Sequence, residues 1–580
     1  TLENTALIDL SIMGTGQNNV GVVNIASKFQ NDGSIVLNDQ AASGSNLGNN
    51  TALYNEAGTV TLGSSSNIEI TSGGNNKGIY IKNGGTVNTG GTISLTSLEN
   101  AADYDYGIYM DSSSSNILNL GNTVFNLSGK SVGIYSGWDK INFQAGNTIN
   151  LSGSTGIGIL YEVTGNSPVS AVSSVVENSG VINADMGVGL YIYDSANIGS
   201  KTIENNGQIN VSGGGTGIVI SSQNYNSTDE INIVNDGTIE NAVGIEEEHN
   251  TGIYSKMENL NISGNGVIKV NSSVLKSIGL YSSVGIINFD GTMELSENSL
   301  GIYLDGSSSN VADTVLNIGT TGNELIQESG VQSTGIFSSG EKAYVVINSG
   351  GIKLLETNIS GKGSLGVYIK NSNLDNSSGG IIQVGENGVG VYLESAEASR
   401  SINLGNILTG DSGTGLYIKN SDPYTIDSFG SITTGKNSIG TAVISGKLNI
   451  DTLNESNFYL GSGSTGYFLK DGILTSSLPN KNIIFGDDIT GVLMTGNSGL
   501  ENIEKIQIGD RVTTGIESMV IGIKNLQNTL DLSTKLTGGD GVIGLYYTED
   551  LTPGTVNYNG SGSKVTPDIE IGKSGGVNSA

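Results

Sequence analysis

The chain has 580 residues with 88 Gly, 5 Pro, one Trp and no Cys, and its 55 Asp and Glu against 25 Lys and Arg give a formal net charge of -30. With only two arginines, Arg400 and Arg511, so acidic a surface repels phosphate backbones and anionic headgroups, which sets aside nucleic acid and direct lipid binding as functions. A disulfide scaffold is excluded, and a long β-rich chain without Cys suits export across a bacterial envelope in an extended state.

Taken in chain order, Thr1 to Val20 has neither the basic start nor the apolar run of a signal peptide. Residues 1–77 are expected to form irregular N-terminal turns, with an early repeat copy at Ala52-Leu53-Tyr54. From Gly78 a Gly-aliphatic-Tyr signature recurs at Gly107-Ile108-Tyr109, Gly133-Ile134-Tyr135, Gly189-Leu190-Tyr191, Gly252-Ile253-Tyr254, Gly279-Leu280-Tyr281, Gly301-Ile302-Tyr303, Gly366-Val367-Tyr368, Gly390-Val391-Tyr392 and Gly415-Leu416-Tyr417. Degenerate copies fill the gaps at Gly158, Gly217, Gly335, Gly440 and Gly466. From Gly78 to Gly466 fourteen intervals span 388 residues, a mean of about 28, and a period sustained this long means a stacked repeat architecture. Residues 78–490 are the regular part, with long-repeat loops expected near 162–180, 221–250 and 305–334. Residues 491–580 are expected to form irregular turns, with a copy at Gly544-Leu545-Tyr546, running into a Gly/Ser/Pro-containing end with Pro553 and Pro567.

Within one repeat, three short runs carry aliphatics at i and i+2, the period of a strand with one buried face, and are separated by Gly, Asn, Ser and Asp turns. No window offers an apolar helical stripe with caps, so helix should be almost absent. Three short strands per repeat can coil, each lying parallel on its counterpart in the next turn, and the predicted fold is all-β: a right-handed parallel β-helix, or β-solenoid, of about 20 rungs and about 28 residues per rung. Such a stack makes a rod on the order of 95 Å at the inter-strand spacing. In Gly415-Leu416-Tyr417-Ile418 the aliphatics share one face, so they form the core and the tyrosines face outward. The outward row is either an aromatic platform for a ligand or a stack that stabilises the sheet. The preceding Gly is expected to leave room for a returning loop or to adopt a backbone angle that other residues avoid. The open ends of such a fold normally need caps, so the native polypeptide is expected to continue beyond one or both termini.

Several motifs invite a chemical reading. Gly410-Asp411-Ser412-Gly413 matches the tetrapeptide around a serine-protease nucleophile, but the base would have to be His249, the only His, about six rungs away. Gly486-Asp487-Asp488 offers a carboxylate pair, yet adjacent strand residues point to opposite faces and cannot flank one glycosidic bond. Both read as turns. Glu246-Glu247-Glu248-His249 lacks the second His or Cys of a zinc site, and Gly538-Gly539-Asp540-Gly541 is a lone fragment of a calcium-binding repeat; no metal and no cofactor is predicted. Loops on a rigid scaffold are where recognition sits, and the candidate binding residues are Trp138, Tyr225, Asp229, Glu230, Glu247 and His249, with no catalytic residue.

The repeat unit followed by Lys-Asn or Asp-Ser, as in Ile81-Lys82-Asn83-Gly84 and Ile418-Lys419-Asn420-Ser421, with Asn-rich Ile-Asn-Leu and Gly-Thr-Ile strands, resembles the passenger regions of large type Va autotransporters. In its acidic, Cys-free style it is most similar to the fusobacterial outer-membrane adhesins, over nearly the whole chain. The resemblance implies an extracellular, cell-surface, non-enzymatic adhesin anchored to the outer membrane by a C-terminal barrel absent from this sequence. It implies type V secretion and a role in coaggregation or virulence, with a surface protein or glycan of another bacterium or host cell as partner. Two alternatives are a carbohydrate-active β-helix of the lyase, hydrolase or tailspike kind, and a passive spacer stalk for a binding domain elsewhere.

Overall fold

The alternating pattern builds strands almost exclusively: the computed structural model contains, among the described residues, one 3-10 turn at Glu455–Asn457 and no α-helix. It describes residues 2–12, 18–39, 49–72, 74–111, 115–137, 139–163, 174–194, 200–222, 230–241, 249–271, 277–307, 313–319, 324–328, 332–348, 350–355, 362–376, 379–395, 400–420, 423–527, 529–532, 534–548, 555–557 and 569–571. The chain divides into two compact units, Thr1–Glu294 and Leu295–Ala580. Each is a β-solenoid of parallel strands with about 27 residues per turn.

A representative turn runs through Ser131–Ser136, Ile141–Phe143 and Thr148–Ser152 before the next begins at Ile157–Val163. These three strands occupy a tyrosine face, a second face and a third face. Each pairs in parallel with its counterpart one turn on, Ile134 with Ile159, Ile141 with Val176 and Ile149 with Ile182. Ten tyrosine-face strands stack in the first unit, from Val20–Ile25 to Ile278–Ser282, and ten in the second, from Leu300–Asp305 to Ile543–Thr548. Ala52-Leu53-Tyr54, irregular in sequence, is a full member: Leu53 pairs with Ile79 and Tyr54 with Tyr80.

Because the period is kept, like residues stack on like. Ile79, Ile108, Ile134, Ile159, Leu190 and Ile218 make one fully buried column, and Ile93, Phe125, Ile149, Ile182, Ile209 and Ile239 face it from the third face. Each such side chain contributes about 1.5–3 kcal/mol of apolar burial. The glycine that opens the signature has a different reason from the two expected. Gly78, Gly107 and Gly133 are not in the left-handed region. A Cβ on each would stand 2.6 Å from the carbonyl oxygen of the glycine one turn on, so the room is filled by the next turn's backbone and not by a loop.

Asparagines exploit the same register, since an amide can donate to its copy in the adjacent turn. At the buried corner between second and third faces, Asn178 Nδ2 donates to Asn205 Oδ1 and Asn205 Nδ2 to Asn235 Oδ1, both at 2.7 Å. On the outside of the third face, Asn210, Asn183 and Asn150 donate in series to Asn183, Asn150 and Asn126 at 2.8, 2.8 and 3.0 Å.

Candidate functional site

Alternation places the tyrosines outward, half-buried, on one face. In the first unit the rings of Tyr54, Tyr80, Tyr109 and Tyr135 follow one another at 5.3, 5.3 and 4.5 Å. In the second, Tyr303, Phe337, Tyr368, Tyr392 and Tyr417 do so at 5.0, 4.9, 4.6 and 4.7 Å. The first row stops where Tyr135 pairs with Leu160. Two tyrosines shifted by one position obey the same alternation and turn inward: Tyr161, after Leu160, and Tyr467, in Gly466-Tyr467-Phe468, are buried.

The hydroxyls of the outward row are tied down. Tyr54 donates to Glu56 at 3.0 Å, Tyr80 to Asp111 at 3.0 Å, Tyr135 to Glu162 at 2.9 Å, and Tyr368 to Glu394. Asp111, Glu162 and Glu394 each stand two residues beyond the outward position of the following turn, so a second, charged row runs beside the rings. Its signs alternate where Glu56 pairs with Lys82, Lys370 with Glu394 and Glu394 with Lys419. The ion pairs, Lys82–Asp111 at 4.0 Å and Lys419–Glu394 at 3.6 Å, join an exposed lysine to a partly exposed carboxylate and add little to stability. Burial, then the neighbouring carboxylates, raise the phenol pKa of Tyr80 and Tyr368; burial followed by Glu394 and Tyr417 pushes Tyr392 up to about 12. The row therefore keeps its protons and acts as a string of donors. Its rings pack on one another and its hydroxyls are used, the arrangement of a stabilising stack.

What borders this face is different. In the first unit the connections from second to third face never exceed four residues, and several are two, such as Asn206-Gly207 and Asp236-Gly237. The long ones occur at the two ends of the tyrosine strands: residues 164–173 and 223–229 follow such strands, and residues 40–50 and 242–250 precede them. Of the predicted binding residues, Trp138, Tyr225, Asp229 and Glu247 lie outside the described residues, as do large parts of the stretches near 162–180, 221–250 and 305–334. Glu230 opens the second-face strand Glu230–Asn235, half-buried, and accepts a hydrogen bond from Asn261 Nδ2. His249 is exposed beside the buried Asn250, whose Oδ1 accepts from Gly214 N at 2.9 Å. The structure does not bring Glu230 and His249 together: one follows a tyrosine strand and the other precedes one, on opposite edges of the face.

The three chemical-looking motifs of the second unit share one corner of the stacked turns, with other turns between them. Ser412 N donates to Lys436 O at 2.8 Å, Gly463 N to Asp488 O at 2.8 Å and Arg511 N to Asp540 O at 2.9 Å. Asp411 Oδ1 accepts from Lys436 N at 2.7 Å, Asp487 Oδ1 from Asp510 N at 2.7 Å and Asp510 Oδ1 from Asp540 N at 2.8 Å. Ser412 and Asp488 both have φ near +57° and +56°, the left-handed conformation of a tight turn. The carboxylates are corner caps for the backbone of the next turn, as their turn reading requires. Among the described residues no group of three or more His, Asp or Glu is arranged to hold a metal ion.

One cluster escaped the sequence reading. Glu455, buried in the 3-10 turn, accepts from Tyr467 Oη at 3.0 Å and pairs with Lys481 Nζ at 3.8 Å, and Lys481 also donates to Leu453 O at 2.6 Å. Burial raises the Glu455 carboxyl, with Lys481 and Tyr467 drawing it back. The signal available was a tyrosine at a core position, whose hydroxyl needs a buried partner. No protein-family model matches the sequence, and no curated protein matches it.

Proposed function

We propose that this chain is a segment of a passenger-type, non-enzymatic adhesin, displayed at a bacterial cell surface and binding a surface protein or glycan of another cell. The observation that carries the reading is the placement, in the first unit, of the long connections along the two edges of the tyrosine face, while the corner between the second and third faces of that unit keeps turns of four residues or fewer. A scaffold that carries its long insertions at the edges of one face can present several segments of varied sequence along that face, as multivalent recognition requires. The corner roles of Asp411 and Asp487 support it, because the motifs that suggested catalysis are accounted for by backbone capping.

The test is competition for cell binding. The purified chain is expected to block attachment of cells bearing the full-length protein, and replacing residues 223–229 and 242–248 by Asn-Gly linkers should weaken that competition at least severalfold with melting unchanged. A chain that binds no cells is a spacer, and a chain that releases reducing or unsaturated ends from polysaccharides is an enzyme; either result overturns the proposal.

A further inference from the structure

In the second unit the third-face sheet runs from Gly351–Leu354 through Ile381–Val384, Ile402–Thr409 and Ser428–Thr434 to Phe458–Tyr459, each strand paired with the next. It resumes at Lys481–Ile484, which pairs onward with Ile503–Gln507. No ladder joins Phe458–Tyr459 to Lys481–Ile484, although residues 423–527 are all described. The other two faces continue across this step: Lys447–Asn449 pairs with Ile473–Thr475, and Thr465–Lys470 with Thr490–Gly496. The turn spacing is thus kept while one face parts. Behind the parting lie the Glu455–Tyr467–Lys481 network and the rings of Phe458 and Phe485, 5.6 Å apart.

The parting opens a groove of about 420 Å³ lined by Thr434, Tyr459, Leu460, Phe485, Asp487 and Ile489 among others. Gly486 sits on its upper bank with nothing within 4 Å of where its Cβ would be. Tyr459 differs from every tyrosine of the outward rows: it is 60% exposed, and no ring contact or hydroxyl bond holds it among the described residues. Asp487, also exposed, uses Oδ1 to cap Asp510 N, and its Oδ2 has no hydrogen-bond partner among the described residues. The lower bank carries unladdered backbone. From this geometry we infer that the groove is a binding site for a neutral sugar ring, stacked on Tyr459 with ring hydroxyls donating to Asp487 Oδ2.

Three observations select this ligand class. An extended peptide strand needs the banks two strand spacings apart, but Gly463 N–Asp488 O at 2.8 Å and the Phe458–Phe485 contact hold them at one. A phosphate or acidic sugar would face Asp487, while Lys481 is engaged by Glu455 and Leu453 O, and Lys505 by Gln507 at 2.6 Å. A purely apolar ligand would leave the carboxylate and the open backbone of the banks unpaired. A single aromatic platform beside a hydrogen-bonding carboxylate fits a hexopyranose, which has an apolar face and a polar rim, and the volume falls in the ordinary range of ligand sites.

The inference rests on the adhesion reading only for its setting, and the two fail separately: the linker replacements remove cell binding without touching this groove. The experiment is saturation-transfer NMR and titration of the full chain with lactose, cellobiose and maltose, with sialyllactose as the anionic counterpart. Transfer is expected from at least one neutral disaccharide and weaker transfer from sialyllactose. Tyr459→Ala should lower affinity about tenfold, as loss of a stacking ring does, and Tyr459→Phe should retain it. Asp487→Asn, which keeps the cap on Asp510 N, should weaken binding about threefold or more. No transfer from any neutral sugar, preference for sialyllactose, or equal binding by Tyr459→Ala with unchanged melting overturns the assignment.

Discussion

The third face is held in two ways in this molecule. In the first unit, Asn126, Asn150, Asn183 and Asn210 hand one hydrogen bond from turn to turn above a continuous ladder. In the second, between Phe458–Tyr459 and Lys481–Ile484, the ladder lapses and one buried ion pair with its tyrosine spans the step. Repetition spreads stability in small equal increments, so any one link is dispensable. A single buried pair concentrates it, and removing one partner strands the other charge.

The largest effect is therefore expected at Lys481. Lys481→Met leaves Glu455 buried without its cation and should cost about 3–5 kcal/mol, seen as an early urea transition of the second unit; a loss below about 1 kcal/mol, the range of an exposed pair, would erase the contrast drawn above. Next comes Asn205→Ala, which removes the acceptor of Asn178 Nδ2 and the donor to Asn235 Oδ1 at a buried corner. About 2 kcal/mol is expected from the unsatisfied groups, measured by the same denaturation. The outer ladder should be softer: Asn183→Ala is expected to cost about 1 kcal/mol or less, and a cost equal to that of Asn205→Ala would show that burial does not separate the two ladders.

The smallest effects distinguish the units by pH. Asp139, in the first, is raised to about 6 by burial, against hydrogen bonds from Asn116. A folded pKa above the ordinary 3.8 means a contribution complete below 3.8 and lost as pH rises through about 6. Asp451, in the second, is desolvated but held down at about 2 by Ser476, Ser477 and Asn449. Its contribution is present above 3.8 and lost as pH falls through about 2. Melting followed from pH 2 to 7 should show both limbs, with Asp139→Asn flattening the upper and Asp451→Asn the lower; a limb that survives its substitution assigns it to another group.

The period, the three strands per turn and the outward tyrosines were legible because strand alternation is local: Leu416 and Ile418 must share a face whatever lies above them. The corner roles of Asp411 and Asp487 were legible too, from their Gly-flanked setting. The purpose of the signature glycine was not, because it depends on a carbonyl one turn away. The parted face was hidden for a related reason: neither the 3-10 turn at Glu455 nor the missing ladder changes the spacing from Gly440 to Gly466. Tyr467, standing where most turns have Ile, Leu or Val, marked the place.

The glycine stack has a consequence for assembly. Since the carbonyl of each signature glycine fills the hollow at the one before it, a finished turn is the mould for its successor. Every key contact joins residues about 27 positions apart, however long the chain. Growth by one turn then meets the same loop-closure cost each time, and the chain can wind up progressively from a formed end as further residues become free.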